Sequence, residues 1–203
     1  MERESQQPEG DRQQQPEQDA SPERWRAPQP RIYVVSVADY DQGVLHDAWI
    51  NAHQAPEELW LEIQHLLHHG PSRGDEWAIL DQEDFFGLQL DEHEDLSTVS
   101  RVAAGVVRYG EALALLGKFA GLDDLSFLET AMRTSYLGAW ESLDALAEHV
   151  IDDMGIDAYI ETAPESYRRY LRIDVDELVR DLRMRMTVLE GSDGLLYIFD
   201  PNQ

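Results

Sequence analysis

Apolar and β-branched positions first recur after residue 30, and their spacing predicts the elements of the N-terminal part of the chain. The run Ile32–Val37 predicts a strand, and Asp39–Gly43 followed by Val44–Asn51 predicts a turn and a second strand, hence a hairpin. Pro56, with two glutamates after it, predicts a helix to about His68. A third strand is predicted at Glu76–Leu80. We therefore expect a small sheet with one helix packed across it.

The middle of the chain has three short apolar stripes at helical spacing. They predict a helix capped by Ser97 that runs to about Tyr109, a second over Glu111–Ala120, and a third that Asp123 or Asp124 caps. The third is expected to end near Arg133. Glycines follow the first two helices, as is common at helix ends. These segments predict a helical unit.

A third region begins near Ser135. Apolar residues three and four positions apart predict one amphipathic helix around Leu143–Met154. Shorter helices are predicted near Ala163–Leu171 and Asp174–Met184, and a closing hairpin over Met186–Phe199. The chain is thus expected to be α+β, with three small domains at residues 31–92, 93–134 and 135–203. Residues 1–30, rich in Gln, Pro, Glu and Arg, are expected to form a disordered leader.

The charge of the chain favours basic partners. Its formal net charge is −25, whereas the leader, with seven acidic and four basic residues, has only −3, so residues 31–203 have −22. A charge of this size repels nucleic acid and anionic membranes. The sequence has no cysteine, no apolar stretch long enough to cross a bilayer and no apolar signal core at its N-terminus. A cytoplasmic location is the simplest expectation.

The acidic residues are unevenly distributed. No Lys or Arg occurs between Arg133 and Arg168, and the acids of the helix around Leu143–Met154 project roughly opposite its apolar stripe. Steps of three and four residues rise about 4.5–6 Å along a helix, comparable with the ~3.4 Å between phosphates of one DNA strand. The candidate surface that imitates DNA comprises Asp81, Glu83, Asp84, Asp91, Glu92, Glu94, Asp95, Glu111, Asp123, Asp124, Glu141, Asp144, Glu148, Asp152, Asp153, Asp157, Glu161 and Glu165.

The basic residues are clustered too. Half of the twelve basic residues after residue 30 lie within eighteen positions, at Arg168, Arg169, Arg172, Arg180, Arg183 and Arg185. Acids interleaved with them favour intramolecular ion pairs. A patch that binds a partner or a second subunit is the alternative.

One pair of residues in the sequence has a spacing that could serve catalytic chemistry. His65 and His69 have the i, i+4 spacing that can place two imidazoles on one metal, so a metal-dependent hydrolase is one alternative function. The order HExxH is missing, however, and so are a Gly-x-Ser-x-Gly elbow, a phosphate loop and a dinucleotide fingerprint. We therefore predict no enzyme, no cofactor and no metal site. A salt-adapted acidic structural protein is the other alternative.

Four segments of the chain have motifs in an order that is typical of one protein family. They are RIYVVSVADYDQGVLHDAWINA (31–52), GDEWAILDQEDFFGLQLDEHEDL (74–96), YLGAWESLDALAEHVIDD (136–153) and YLRIDVDELVRDLRMRMTVLEGSDGLLYIFDPN (170–202). Together they resemble the ArdA antirestriction family. The shared features include a Gly-x-Leu-x-x-x-Trp pattern in the first segment, Glu-Trp-Ala-Ile in the second and an Arg-Asp-Leu helix before the final hairpin. The resemblance covers residues 31–203 and not the leader.

The resemblance implies a binding function without catalysis. It implies an elongated, dimeric chain that imitates bent B-DNA and occupies the DNA groove of type I restriction–modification enzymes, on their methyltransferase and specificity subunits. Such an inhibitor usually protects an incoming plasmid or transposon, and no catalytic residue is implied.

Overall fold

The computed structural model of the chain describes residues 27–72 and 74–202, so most of the predicted leader of residues 1–30 lies outside the described residues. Its last four residues are not disordered as expected, because Pro28 and Pro30 are buried and Pro30 O accepts a hydrogen bond from Ala52 N (2.9 Å). The described residues form helices and two small antiparallel sheets, so the predicted α+β class is confirmed. In chain order they are β1 (Arg31–Ser36), α1 (Val37–Tyr40), β2 (Asp47–Asn51), α2 (Pro56–His69), β3 (Trp77–Glu83), α3 (Leu96–Tyr109), α4 (Glu111–Ala120), α5 (Leu125–Thr134), β4 (Tyr136–Trp140), α6 (Leu143–Asp153), α7 (Ile156–Glu161), α8 (Glu165–Arg168), α9 (Val175–Arg185), β5 (Thr187–Glu190) and β6 (Leu196–Phe199).

The N-terminal sheet matches the predicted sheet with one helix across it. Its strand order is β2-β1-β3, and both pairings are antiparallel. Ile32 and Val34 of the central strand are fully buried, as are Leu59 and Ile63 of α2, which packs on this sheet. The inward-facing residues of the strand and the apolar stripe of the helix therefore form one core.

The connection between β1 and β2 differs from the predicted turn. Ser36 caps the one-turn helix α1 by accepting a hydrogen bond from Asp39 N (3.4 Å), and β2 begins at Asp47 instead of Val44. The reason is that Asp39 is fully buried and not part of a surface turn. Its Oδ1 accepts a hydrogen bond from Ser72 N (2.7 Å). Hydrogen bonding from Ser72 holds the pKa of Asp39 below its usual value, although burial acts in the opposite direction.

Gly70 lies against this buried carboxylate, which leads to a stability prediction. Its backbone is ordinary (φ −67°), but an added Cβ would overlap Asp39 Oδ2 and stand 3.0 Å from His46 Cδ2. We expect Gly70→Ala to lower the free energy of unfolding by about 1–3 kcal/mol through overpacking, measured by urea denaturation. In an Asp39→Ala background the same substitution should cost much less. Equal costs in the two backgrounds would contradict the steric explanation.

The three helices of the middle region are confirmed, with one change at a cap. α3 is capped by Asp95 and not by Ser97, because Asp95 Oδ1 accepts the hydrogen bond from Ser97 N (2.8 Å). Of the two candidate caps for α5, Asp124 has the role, since its Oδ1 accepts from Phe127 N (2.9 Å). Both carboxylates thus satisfy free N–H groups at helix starts.

The C-terminal sheet has the order β4-β6-β5, so the predicted hairpin of β5 and β6 is confirmed and gains a third strand. β4 was not predicted, because its sequence YLGAW has no β-branched residue. Gly138 also has a positive φ (106°) beside a register shift between Tyr136 and Gly138. α7 was not predicted either, since no residue of it is buried.

Two apolar clusters meet on the central strand of this sheet. Tyr197 and Phe199 belong to a large cluster with residues of the N-terminal sheet and of α2 to α5. Ile198, on the opposite face, belongs to a smaller cluster with Leu146 of α6 and Leu182 of α9. β6 therefore packs on both sides by simple alternation. The three-domain boundaries stay a prediction.

Candidate acidic interaction surface

The run between Arg133 and Arg168 holds the most exposed group of predicted carboxylates. All eight of its acidic residues are exposed, and none forms an ion pair with another described residue. Helices normally present acids and bases together, and like charges three or four positions apart cost stability. We call this group the acid-only run: Glu141, Asp144, Glu148, Asp152, Asp153, Asp157, Glu161 and Glu165.

The sequence of α6 explains why its carboxylates face outward. Ser142 caps the helix by accepting a hydrogen bond from Ala145 N (3.1 Å). Leu143, Leu146, Ala147 and Ile151 then form the buried stripe, and α9 and β4 pack on the helix. The remaining face carries Asp144, Glu148 and Asp152, which lie at consecutive helical turns. The buried side of α6 thereby fixes the direction of its acidic side.

Acids of the segment 81–95 are also exposed, but several have structural partners. Glu83 forms an ion pair with Arg31, and Asp84 accepts a hydrogen bond from Gln29 N (3.0 Å). Half-buried Glu94 accepts from Asp95 N (3.2 Å). The segment therefore offers less unpaired charge than the acid-only run.

The fold brings carboxylates from two distant segments to one groove. Asp91 and Glu94 line it with Asp123, and the open cavity between them measures about 540 Å³. Lys118 also lines this groove, where its Nζ donates to the carbonyl oxygen of Phe86 (2.5 Å). Phe86 has a positive φ (52°), so this hydrogen bond holds a strained loop.

Two acids directly before β3 lie beside the candidate residue Glu92 and were not among the predicted residues. Asp75 and Glu76 are exposed, and they line a second cavity of about 540 Å³ together with Glu92. The backbone bond from Ile79 N to Glu92 O (2.8 Å) folds the acidic loop back along the strand. The available signal was their position at the start of the strand predicted over Glu76–Leu80, but the return of the loop depends on tertiary packing.

The prediction that Glu111 is part of the exposed acidic surface is wrong. Glu111 is buried, with 9% of its surface exposed, and its Oε1 accepts a hydrogen bond from Ser192 N (2.7 Å) in the turn between β5 and β6. Nearby, the hydroxyl of Tyr197 donates to Asp193 Oδ2 (3.0 Å), and burial, followed by this bond, raises the pKa of Tyr197. Glu111 therefore anchors the closing hairpin to α4. A pattern of acids in sequence cannot distinguish such a carboxylate from a surface one.

Comparison with known proteins identifies the family. The model of the family described as "Antirestriction protein (ArdA)" matches residues 32–197 of the 203 residues. The chain belongs to the ArdA family. It is accordingly an antirestriction protein, an inhibitor directed at restriction–modification enzymes. No curated protein matches the chain significantly.

The predicted ion pairing of the arginine cluster is largely missing from this ArdA chain. Of its six arginines, Arg180 alone forms an ion pair within the described part, with Glu177. Arg168 donates to Ala163 O (2.7 Å), and the guanidinium of Arg169 lies 4.9 Å from the ring centroid of Tyr170. The interleaved acids thus do not neutralise the cluster in the way that their spacing suggested.

The histidine pair of the ArdA chain forms a local contact. The rings of His65 and His69 lie 4.1 Å apart, and His69 Nδ1 is 2.7 Å from His65 O. Within residues 27–72 and 74–202, no group of three or more His, Cys, Asp or Glu is arranged to hold a metal ion. In the same ranges, no helix combines the length and apolar character of a membrane span.

Proposed function

We propose that the chain is a DNA mimic that occupies the DNA-binding groove of type I restriction–modification enzymes and inhibits them stoichiometrically. The observation that carries this proposal is the acid-only run, whose eight exposed carboxylates have no ion-pair partner among the described residues. Unpaired carboxylates retain their charge for a basic partner. A groove built for phosphates supplies Lys and Arg in the required arrangement.

The charge density of the chain is consistent with a short piece of duplex. The net charge of −22 on residues 31–203 equals that of roughly 37 Å of DNA at about 1.7 Å per charge. On α6, carboxylates at consecutive turns are separated by about 6 Å along the axis. A dimer would present about twice this length, and we include a homodimer in the cytoplasm in the proposal. The methyltransferase and specificity subunits, which hold the DNA, are the proposed contact.

The distribution of charge favours this function over a salt-adapted structural protein. Salt adaptation requires an acidic surface, but it does not require acidic and basic residues to lie in separate segments of the chain. Here one run of thirty-four residues has no Lys or Arg, whereas six arginines lie within the next eighteen. Selection for a charged partner accounts for a one-signed face, while solubility alone does not.

Titration of a type I enzyme with the purified chain tests the proposal. We expect DNA methylation and restriction to fall linearly to an end point at a fixed molar ratio, and we expect excess target duplex to restore activity by competition. Millimolar Mg²⁺ serves as the control, since inhibition by chelation would disappear in its presence. If micromolar excess of the chain leaves both activities unchanged, the proposal is wrong.

A further inference from the structure

A basic groove between α3 and α5 stands apart from the acidic surface. Arg101 and Arg108 are two helical turns apart on α3, and Arg133 on α5 lies across from them. All three line one cavity of about 260 Å³, together with Glu129 and Tyr109. Three of the twelve basic residues after residue 30 therefore converge on one small space.

Only one end of this groove is neutralised. Arg101 Nε donates to Glu129 Oε1 (2.9 Å), and this hydrogen bond raises the pKa of Arg101. Neither Arg108 nor Arg133 forms an ion pair with a described residue, and both are exposed. The guanidinium of Arg108 lies 5.0 Å from the ring centroid of Tyr109. Three positive charges and one negative charge leave the lining with a net charge of +2.

The floor of the groove is bare between the arginines. Ala104 and Gly105 line it, and the short side chain of exposed Ala104 leaves the space between Arg101 and Arg108 open. Gly105 is also required for helix packing, because an added Cβ at this position would lie 2.5 Å from Leu113 Cδ2. Guanidinium groups around an open floor can donate hydrogen bonds to one oxyanion from several sides.

We infer that this groove is a binding site for a phosphate dianion, taken up as inorganic phosphate or as the phosphate monoester group of a small molecule. The charge of such a group, about −1.5 to −2 at pH 7, matches the net +2 of the lining. The cavity is below the roughly 300–1,000 Å³ of drug-sized sites, so it accepts the phosphate and leaves the rest of a larger ligand outside. This site goes beyond the proposed inhibition and does not depend on it.

The net charge of the whole chain selects a small anion over a large one. The net charge of the chain is −25, and its long-range repulsion of an anion increases with the number of charges on that anion. A polyanion is therefore repelled much more strongly than a single dianion. Duplex DNA and acidic proteins are therefore poor ligands even though the groove itself is basic. A chain with so many acidic residues offers ion-pair partners for most arginines. Two arginines without such a partner among the described residues in one groove therefore indicate a site for an external anion.

Isothermal titration of the full chain with inorganic phosphate, in buffers matched for ionic strength with NaCl, tests the assignment. We expect saturable binding of one phosphate per chain. The double variant Arg108→Gln/Arg133→Gln should bind at least tenfold more weakly. The matched control, Arg183→Gln/Arg185→Gln, removes two exposed arginines from α9 and changes the net charge equally, and its affinity should stay within about twofold of the original.

A second variant keeps the test independent of folding defects in the first. Ala104→Glu retains a good helix former and places a carboxylate beside the arginines, so it should also abolish phosphate binding. Adenosine monophosphate should bind at least as tightly as phosphate, and tighter binding would indicate that Tyr109 contributes to the ligand contact. No saturable binding, equal losses in the two double variants, or tighter binding of a duplex or of polyglutamate would overturn the inference.

Discussion

An increase in salt from about 50 to 200 mM is expected to weaken the complex between this chain and a type I enzyme by about 10²- to 10³-fold. A protein that contacts six to ten phosphates loses roughly 10³- to 10⁵-fold in DNA affinity over this range, because bound counterions are no longer released as favourably. The acid-only run offers eight charges of this kind. Carboxylates on a protein condense fewer counterions than a duplex does. The expected loss of affinity for this complex is therefore at or somewhat below the lower end of the range for DNA.

The measurement is a series of dissociation constants at several NaCl concentrations, plotted as log against log. The enzyme's own DNA serves as the reference in parallel titrations. A mimic should show a slope of the same sign and of somewhat smaller size. An affinity that does not change with salt would mean that apolar contacts hold the complex, and the DNA-mimic mechanism would be rejected. Thermal stability is not a substitute, since salt screens self-repulsion in any protein with this charge.

The sequence patterns that predicted elements correctly were those set by local chemistry. The α2 and α4 helices follow from apolar spacing with a proline at the start of one and glycines after both, and the hairpin of β5 and β6 follows from the Gly191–Gly194 turn between two apolar runs. β4 could not be predicted, because its residues form a strand only where β6 provides a partner. Its pairing is a long-range contact, and local propensity does not encode it.

The candidate surface shows the same division. Exposure of the acids on α6 could be predicted, because the opposite stripe is apolar over three turns. The burial of Glu111 could not, since its partner Ser192 is eighty-one positions away. The grouping of Asp91 with Asp123, and the convergence of Arg101, Arg108 and Arg133, likewise depend on how helices pack. The distribution of charge along a sequence therefore predicts whether a surface is acidic or basic better than it predicts which residues form that surface.

Neutralising the outward face of α6 is expected to weaken inhibition strongly at an unchanged fold. The variant Asp144→Asn/Glu148→Gln/Asp152→Asn removes three charges from consecutive turns and keeps side chains of nearly the same shape. Its effects on the helix largely cancel, because Asp144 lies in the first turn and Asp152 near the end, where a negative charge is unfavourable. From the range measured for charge pairs at interfaces, we expect roughly a tenfold to a thousandfold loss of affinity for the enzyme.

The matched control is Glu57→Gln/Glu58→Gln/Glu62→Gln on α2, which removes three exposed charges from another helix. Glutamine preserves the oxygens that Glu58 and Glu62 use as acceptors for Ala55 N and Gln54 Nε2. Both variants have the same net charge, so any effect of overall charge is equal in the two. A much larger loss for the α6 variant would assign the contact to the acid-only run. Equal losses would show instead that inhibition depends on total charge, and the proposed groove contact through α6 would be wrong.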